Sequence, residues 1–233
     1  MKMSNRQVAL AEVIGFSVLA VGSKLALDPV TWRFSGPITL LFTLIVLAAY
    51  RRWRGQSWRD LGFRPLPGLK SKLLLLPQIL LGVAAILGTG LAVAKLGDAL
   101  AIPFMQHVAD RVQERWGNLR GNLPLYLLWL SLAWVSAGFG EETFFRGFLI
   151  GRLGDALTGL RFGRALAVVV SALFFGVCHI YYQGLRGLFM AGSIGLVLGL
   201  LFLLYRRNLW PLVAAHALVD TLMFTAIFLN RDI

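Results

Sequence analysis

The chain has 233 residues, 58% of them hydrophobic and only 15% charged, with a mean hydropathy of +0.72. A soluble domain carries roughly a quarter charged residues because its surface must face water, so a soluble enzyme, a disordered chain and a nucleic-acid-binding domain are excluded and an integral membrane protein remains. The net charge of +12 then reads as a loop excess of Lys and Arg that sets orientation, and a single cysteine, Cys178, excludes an internal disulfide and a cysteine-based zinc site.

In chain order, apolar runs stand at about 8–27, 37–50, 73–94, 125–150, 165–182, 188–205 and 209–229, against the roughly 20 residues a transmembrane helix needs. The first follows Lys2 and Arg6 as a secretory leader would. Its apolar run is long and no small-x-small cleavage signal follows, so it is expected to remain as a helix. The second is short unless 32–35 joins it. The fourth, about 39 Å long at 1.5 Å per residue, is expected to tilt, break or split, and a split would give an eighth segment around 153–160. Only helices or closed barrels satisfy the backbone in lipid. The predicted fold is therefore all-α: a polytopic transmembrane helix bundle of about seven or eight spans, one integral-membrane domain over 1–233 with its chemical core at about 124–229.

With the amino terminus inside, fourteen Lys and Arg fall in inner segments and eight in outer ones, leaving Arg146 as the last of 23. The inner set includes Lys2, Arg6, the run from Arg51 to Lys72, Arg152, Arg206 and Arg207; the outer set includes Lys24, Arg115 and Arg231. This asymmetry predicts a multi-pass protein of the cell membrane with a cytoplasmic amino terminus. Gly187, Ala191, Gly195 and Gly199 recur every four residues as a smooth helix–helix ridge, and Ser136, Ala137, Gly138 and Gly140 form a second small-residue stretch.

Ionisable groups inside a bilayer cost at least about 2.5–3.5 kcal/mol each on insertion scales, which makes them functional candidates. Six lie in or beside the last four spans: Glu141, Glu142, Arg146, His179, His216 and Asp220. They must face one another or a wet cavity. Glu142 and Arg146 stand at i and i+4 and can pair on one helix face, which leaves Glu141, about 100° around the helix, free. His216 and Asp220 share the same spacing, so the carboxylate or its neighbours can orient the imidazole. A glutamate base acting on water, a histidine from a second helix and a donor for an oxyanion would hydrolyse a peptide bond without a covalent nucleophile. The same residues could instead ligate a divalent metal such as zinc through His179, His216 and a carboxylate, although no H-E-x-x-H is present. Taken singly, each has a structural reading as an ion pair, a core histidine or a helix–helix hydrogen bond. Cys178 beside His179 reads as packing, and Glu12 in the first span has no assigned partner. The distances of Glu141 and His216 from the flanking loops predict a site opening toward the cytoplasmic half.

Glu141-Glu142-Thr143-Phe144-Phe145-Arg146 fits E-E-x-x-x-R, Phe175 to His179 fits F-x-x-x-H, and His216 to Asp220 fits H-x-x-x-[N/D]. In this order they resemble the CPBP family of intramembrane proteases, which includes the Rce-type CAAX prenyl proteases and bacteriocin-processing or self-immunity proteins. The basic stretch 58–64 is similar to that family's loop. The resemblance implies Glu141 as general base with His179 assisting, His216 and Asp220 as the oxyanion-stabilising pair, and Glu142 with Arg146 in support. It departs at Asp220, where the prenyl proteases usually carry Asn, because an ionised carboxylate cannot donate to an oxyanion. The expected partner is a peptide or membrane-protein substrate in the bilayer, with no nucleic acid, and the expected cofactor is none or a divalent metal. Two other readings stay open: a non-proteolytic scaffold or self-immunity protein, and a proton-coupled transporter, against which the lack of paired halves counts.

Overall fold

A computed structural model describes residues 4–230; Lys2 and Arg231, counted above on the inner and outer sides, lie outside the described residues. Ser4 opens α1 (Asn5–Trp53) with a capping box, its hydroxyl accepting from the Gln7 N–H while the Gln7 side chain accepts from the Ser4 N–H. The first two predicted spans lie in this one helix, which does not run straight. Thr31, at φ −156° and ψ 70°, breaks it two residues after Pro29, whose ring and missing N–H weaken the turn before it. Glu12 and Tyr50 would stand about 57 Å apart on a straight helix, yet they share a 2.7 Å hydrogen bond. α1 is therefore a hairpin of two arms. Asp28 fastens the reversal, accepting from Lys24 on one side of Thr31 and from Ser35 on the other. Glu12, unplaced by spacing, is buried and also accepts from Arg152 Nε, which ties the hairpin to the middle of the chain.

The basic loop holds the short helices α2 (Trp58–Leu61) and α3 (Gly68–Leu73) and leads into α4 (Leu75–Ala99). α5 (Pro103–Gln106), α6 (Asp110–Trp116) and a 3-10 turn (Gly117–Leu119) make the next connection. The fourth span does not split: α7 (Leu123–Leu132) runs directly into a π-helix (Ala133–Ile150) and then α8 (Gly151–Ala156), so the candidate eighth segment begins as the end of this helix. The chain closes with α9 (Gly163–Val177), α10 (Ile180–Leu204) and α11 (Trp210–Phe228). Among the described residues five helices are long and apolar enough to cross a membrane, with all of α1 counted as one and α7 to α8 as another. The two arms of α1 and the shorter apolar α9 complete the seven predicted runs.

α9 and α10 pack as an antiparallel pair whose register follows from their glycines. A Cβ on Gly176 would lie 2.6 Å from the Leu188 carbonyl, one on Gly195 would lie 3.3 Å from Ala172 Cα, and one on Gly199 would lie 2.7 Å from Val168. These pairs are nearly symmetric about Gly184, which takes φ 63° and ψ −158°, a positive-φ conformation that glycine adopts without a Cβ penalty. The predicted ridge is thus a true helix contact, with Gly187, Ala191, Gly195 and Gly199 all buried. Large side chains such as Leu25, Ile45, Leu76 and Leu204 face outward, as a lipid-facing surface requires.

The bundle has two chemically different ends. Arg51, Arg59, Arg64, Arg152 and Arg207 surround one cavity, and Arg6 reaches Gly159 nearby. The cations predicted for the inner side therefore share one end, while the reversals at Thr31 and Gly184 mark the other.

Candidate active site

Close helix approach sets the site. A Cβ on Gly138 would lie 2.8 Å from both the Val213 carbonyl and Ala217 Cβ, so the small-residue stretch before the glutamates lets the π-helix press onto α11. One turn later Glu141 and Glu142 stand beside His216. Ser171 adds a tie to α9, its hydroxyl donating to the Phe145 carbonyl at 2.8 Å. A π-helix of this length is unusual, since such geometry mostly occurs as single-turn bulges at functional sites.

Glu142 is fully buried. Its Oε1 accepts from Arg146 Nη1 at 2.9 Å and from His216 Nδ1–H at 2.8 Å, and the Arg146 guanidinium lies 4.5 Å from the centre of the Phe175 ring. The imidazole is thereby held with Nε2 facing Glu141, whose Oε2 is 3.9 Å away. Spacing leaves open whether Asp220 or its neighbours fix His216. The i,i+4 spacing puts both on one face of α11, but the hydrogen bond to Nδ1 comes from Glu142 on the π-helix, and Asp220 carries no hydrogen bond to the ring among the described residues.

His179 does not lie inside a span as expected. It sits in the turn between α9 and α10 because α9 ends at Val177. Its Nδ1 is 2.7 Å from the Phe175 carbonyl; a carbonyl can only accept, so Nδ1 carries the proton and Nε2 of the neutral ring offers its lone pair. The same turn lets Cys178 and His179, neighbours that would diverge on a continuous helix, line a common cavity.

That cavity, of about 380 Å3, is lined by Glu141, His179, His216 and Asp220 together, while Glu142 and Arg146 stand behind it. Three separate elements thus bring the four predicted residues to one space. The expected opening toward the half with the inner-segment cations is not observed. Lys24, Gly36, Tyr181 and Gln183 are among the walls, so the cavity occupies the half with the Thr31 and Gly184 reversals. The expectation counts α9 as a full-length span, and its early end moves His179 toward that half.

Arg115, placed in an outer loop by its position in the chain, is buried and lines the same cavity. It lies 4.5 Å from the centre of the Tyr182 ring and hydrogen-bonds the Tyr181 hydroxyl, while its Nε has no acceptor among the described residues. The cavity therefore combines two carboxyl side chains and two imidazoles with the buried Arg115 guanidinium. The only signal in the chain for this is the aromatic company, Trp116 beside Arg115 and the Tyr181-Tyr182 pair after His179.

Among the described residues no group of three or more His, Cys, Asp or Glu side chains converges as a metal-holding set. Nδ1 of His179 faces a carbonyl and Nδ1 of His216 faces Glu142, which leaves both Nε2 atoms free in the cavity that Glu141 also lines. With no such set converging among the described residues, the metalloprotease reading has no support in this arrangement.

Residues 123–222 match the family model described as type II CAAX prenyl endopeptidase, Rce1-like. This stretch is similar to an Rce1-like domain. It runs from the start of α7 into α11 and contains every one of Glu141, Glu142, Arg146, His179, His216 and Asp220; the α1 hairpin, the basic loop, α4 and Arg115 lie outside it. No curated protein and no solved structure matches the chain. The matched stretch resembles the CAAX-protease family, whose members act as proteases on peptide or protein substrates, and the apolar helices accord with a membrane protein.

Proposed function

We propose that the chain is an intramembrane endopeptidase that hydrolyses a peptide bond with water activated by Glu141 and His179. The observation that carries this reading is the shared cavity, in which Glu141, His179 and His216 arrive from three different elements with their free atoms facing one space. Glu141 takes a proton from water as the oxygen attacks the peptide carbonyl, with His179 Nε2 accepting the second hydrogen bond of that water. The carbonyl electron pair moves to oxygen, where His216 as the imidazolium donates through Nε2–H. Glu142 balances that charge at Nδ1, and Arg146 holds Glu142. Collapse then breaks the C–N bond, and the proton on Glu141 passes to the leaving amine. Asp220 borders the cavity as a wall group that acts on substrate rather than on His216.

The apolar walls, among them Phe145, Phe174, Ile194 and Val219, suit a peptide segment lying in the bilayer. Purified protein in liposomes, given a membrane peptide ending in a cysteine-containing CAAX-type tetrapeptide with and without a prenyl group, tests the substrate class. Cleavage of either form by the wild type, with new termini identified by mass spectrometry, is the expected result. Binding of both without cleavage would favour the scaffold reading.

The clustering of cations at one end supports an orientation with the amino terminus cytoplasmic. A reporter fused after Arg64 should then report from the cytoplasm and one inserted at Gly184 from outside. The reverse pair of readings would turn the protein over and place the catalytic cavity nearer the cytoplasm.

A further inference from the structure

The cavity at the basic end is distinct from the catalytic one and has the larger volume, about 730 Å3. It lies where the end of α1, the basic loop, the start of α8 and the α10–α11 turn meet. Its arginines are unequally satisfied. Arg51 donates to the Ser57 carbonyl and to Asp60, and Arg152 is shared between Glu12 and Asp155. Arg59, Arg64 and Arg207 line the cavity with no ion-pair partner among the described residues. Arg207 is the unusual member. It is half-buried, its guanidinium is directed against Gly151, and its backbone, like that of Arg206, is left-handed at φ 63°, a conformation that a side-chain-bearing residue adopts only where its surroundings impose it.

Those surroundings are specific. The Arg207 carbonyl lies where a Cβ on Gly62 would stand at 2.6 Å, and Gly62, at φ 116°, accepts from the Leu209 N–H at 3.0 Å. The basic loop and the α10–α11 turn are thus locked together, and the lock aims Arg207 inward instead of leaving it in water. Burial is the largest cause pushing the Arg207 guanidinium below its ordinary value, with Arg64 and Arg164 acting the same way and Asp155 and Asp60 opposing. Five arginines against Asp60 and Asp155 leave the cavity with an excess of positive charge that a bound anion would balance.

We infer that this cavity binds a phosphate group, read by Arg59, Arg64 and Arg207, and that the ligand is the headgroup of an anionic phospholipid. Arginine suits phosphate because its planar fork donates two parallel hydrogen bonds, and basic pockets between membrane helices at the cytoplasmic surface hold such headgroups. Trp58 and Trp210, which meet Phe63 edge-on beside the loop, are the amphipathic rings found at headgroup level. The inference does not depend on the proposed proteolysis, since none of these residues lines the catalytic cavity.

The test is native mass spectrometry of the full chain released from nanodiscs containing phosphatidylglycerol or phosphatidylcholine, with inorganic phosphate as a third ligand. Phosphatidylglycerol should be retained at one site in preference to phosphatidylcholine. Arg64→Gln with Arg207→Gln should weaken retention by about 25-fold, at roughly 5-fold per arginine removed near a membrane surface. Arg52→Gln with Arg54→Gln removes the same charge from the same end, but outside the cavity, and should leave retention near wild type. Arg207→Lys, which keeps the charge and loses the fork, should fall between. Inorganic phosphate displacing the lipid from the wild type, but not binding the Arg64→Gln, Arg207→Gln double variant, would confirm the site and assign it to free phosphate. Equal losses in the two double variants, or no preference for phosphatidylglycerol in the wild type, would overturn it. A circular-dichroism melt separates loss of the ligand from loss of the fold.

Discussion

Replacing Glu141 by Gln is expected to lower turnover by about 100-fold or more, the usual scale for a positioned general base, while the protein still inserts and folds. The side chain keeps its size and its polar character, and among the described residues it makes no hydrogen bond that the amide would break; its nearest charged neighbour is His216 Nε2 at 3.9 Å. The Glu142–Arg146 pair and the Glu142–His216 hydrogen bond stay in place behind it. Only the capacity to take a proton from water is removed. A scaffold or self-immunity protein would instead keep its full phenotype after Glu141→Gln, because binding requires no proton acceptor at that position. Turnover of a membrane peptide measured beside a phenotypic assay separates the two.

The second large effect is on stability. Arg146 is 1% exposed and Glu142 is 0% exposed, and both stand behind the catalytic cavity rather than in its walls, where water could resolvate them. Arg146→Met leaves Glu142 with only His216 for company, and breaking a buried pair from one side costs roughly 3–5 kcal/mol. Denaturant titration in detergent should show a loss of that size, and a change within about 0.5 kcal/mol, the range of ordinary surface substitutions, would contradict the buried pair. Glu142→Leu combined with Arg146→Leu should recover most of the lost stability, since a buried pair exchanged for apolar side chains is often neutral. Activity should not return with it. The double variant removes the acceptor that holds His216 Nδ1, so the ring is free to turn and Nε2 no longer faces Glu141.

Much of this arrangement is legible in the sequence because intramembrane charge is costly. The same six polar residues that stand out in apolar spans are the ones that meet in and behind the cavity, and the cations sorted by loop converge on one end of the bundle. What is not legible comes from backbone geometry. The separate runs 8–27 and 37–50 imply a reversal, but nothing in the spacing of Pro29 and Pro37 announces that it turns at Thr31 without a loop. The end of α9 at Val177 is equally silent, because Cys178 and His179 are compatible with a helix; only Gly184 hints at the reversal. That early end is what carries His179 to the half opposite the basic loops. Pairing by i,i+4 identifies Glu142 with Arg146 correctly, but it leaves the partner of His216 open, because contacts within one helix can be counted from sequence and contacts between helices cannot. Arg115 shows the same limit: an arginine in a connecting loop reads as exposed until its aromatic neighbours are in place.

The most direct measurement is cleavage of a membrane peptide by the purified protein in liposomes made up in 18O-labelled water. Attack by water in this cavity should place one 18O atom in the newly formed carboxylate of the product from the wild type, and Glu141→Gln prepared in the same way should give no product. An intact peptide with the wild type, or labelled product formed equally by both proteins, would contradict the assignment of this cavity as a site of peptide-bond hydrolysis.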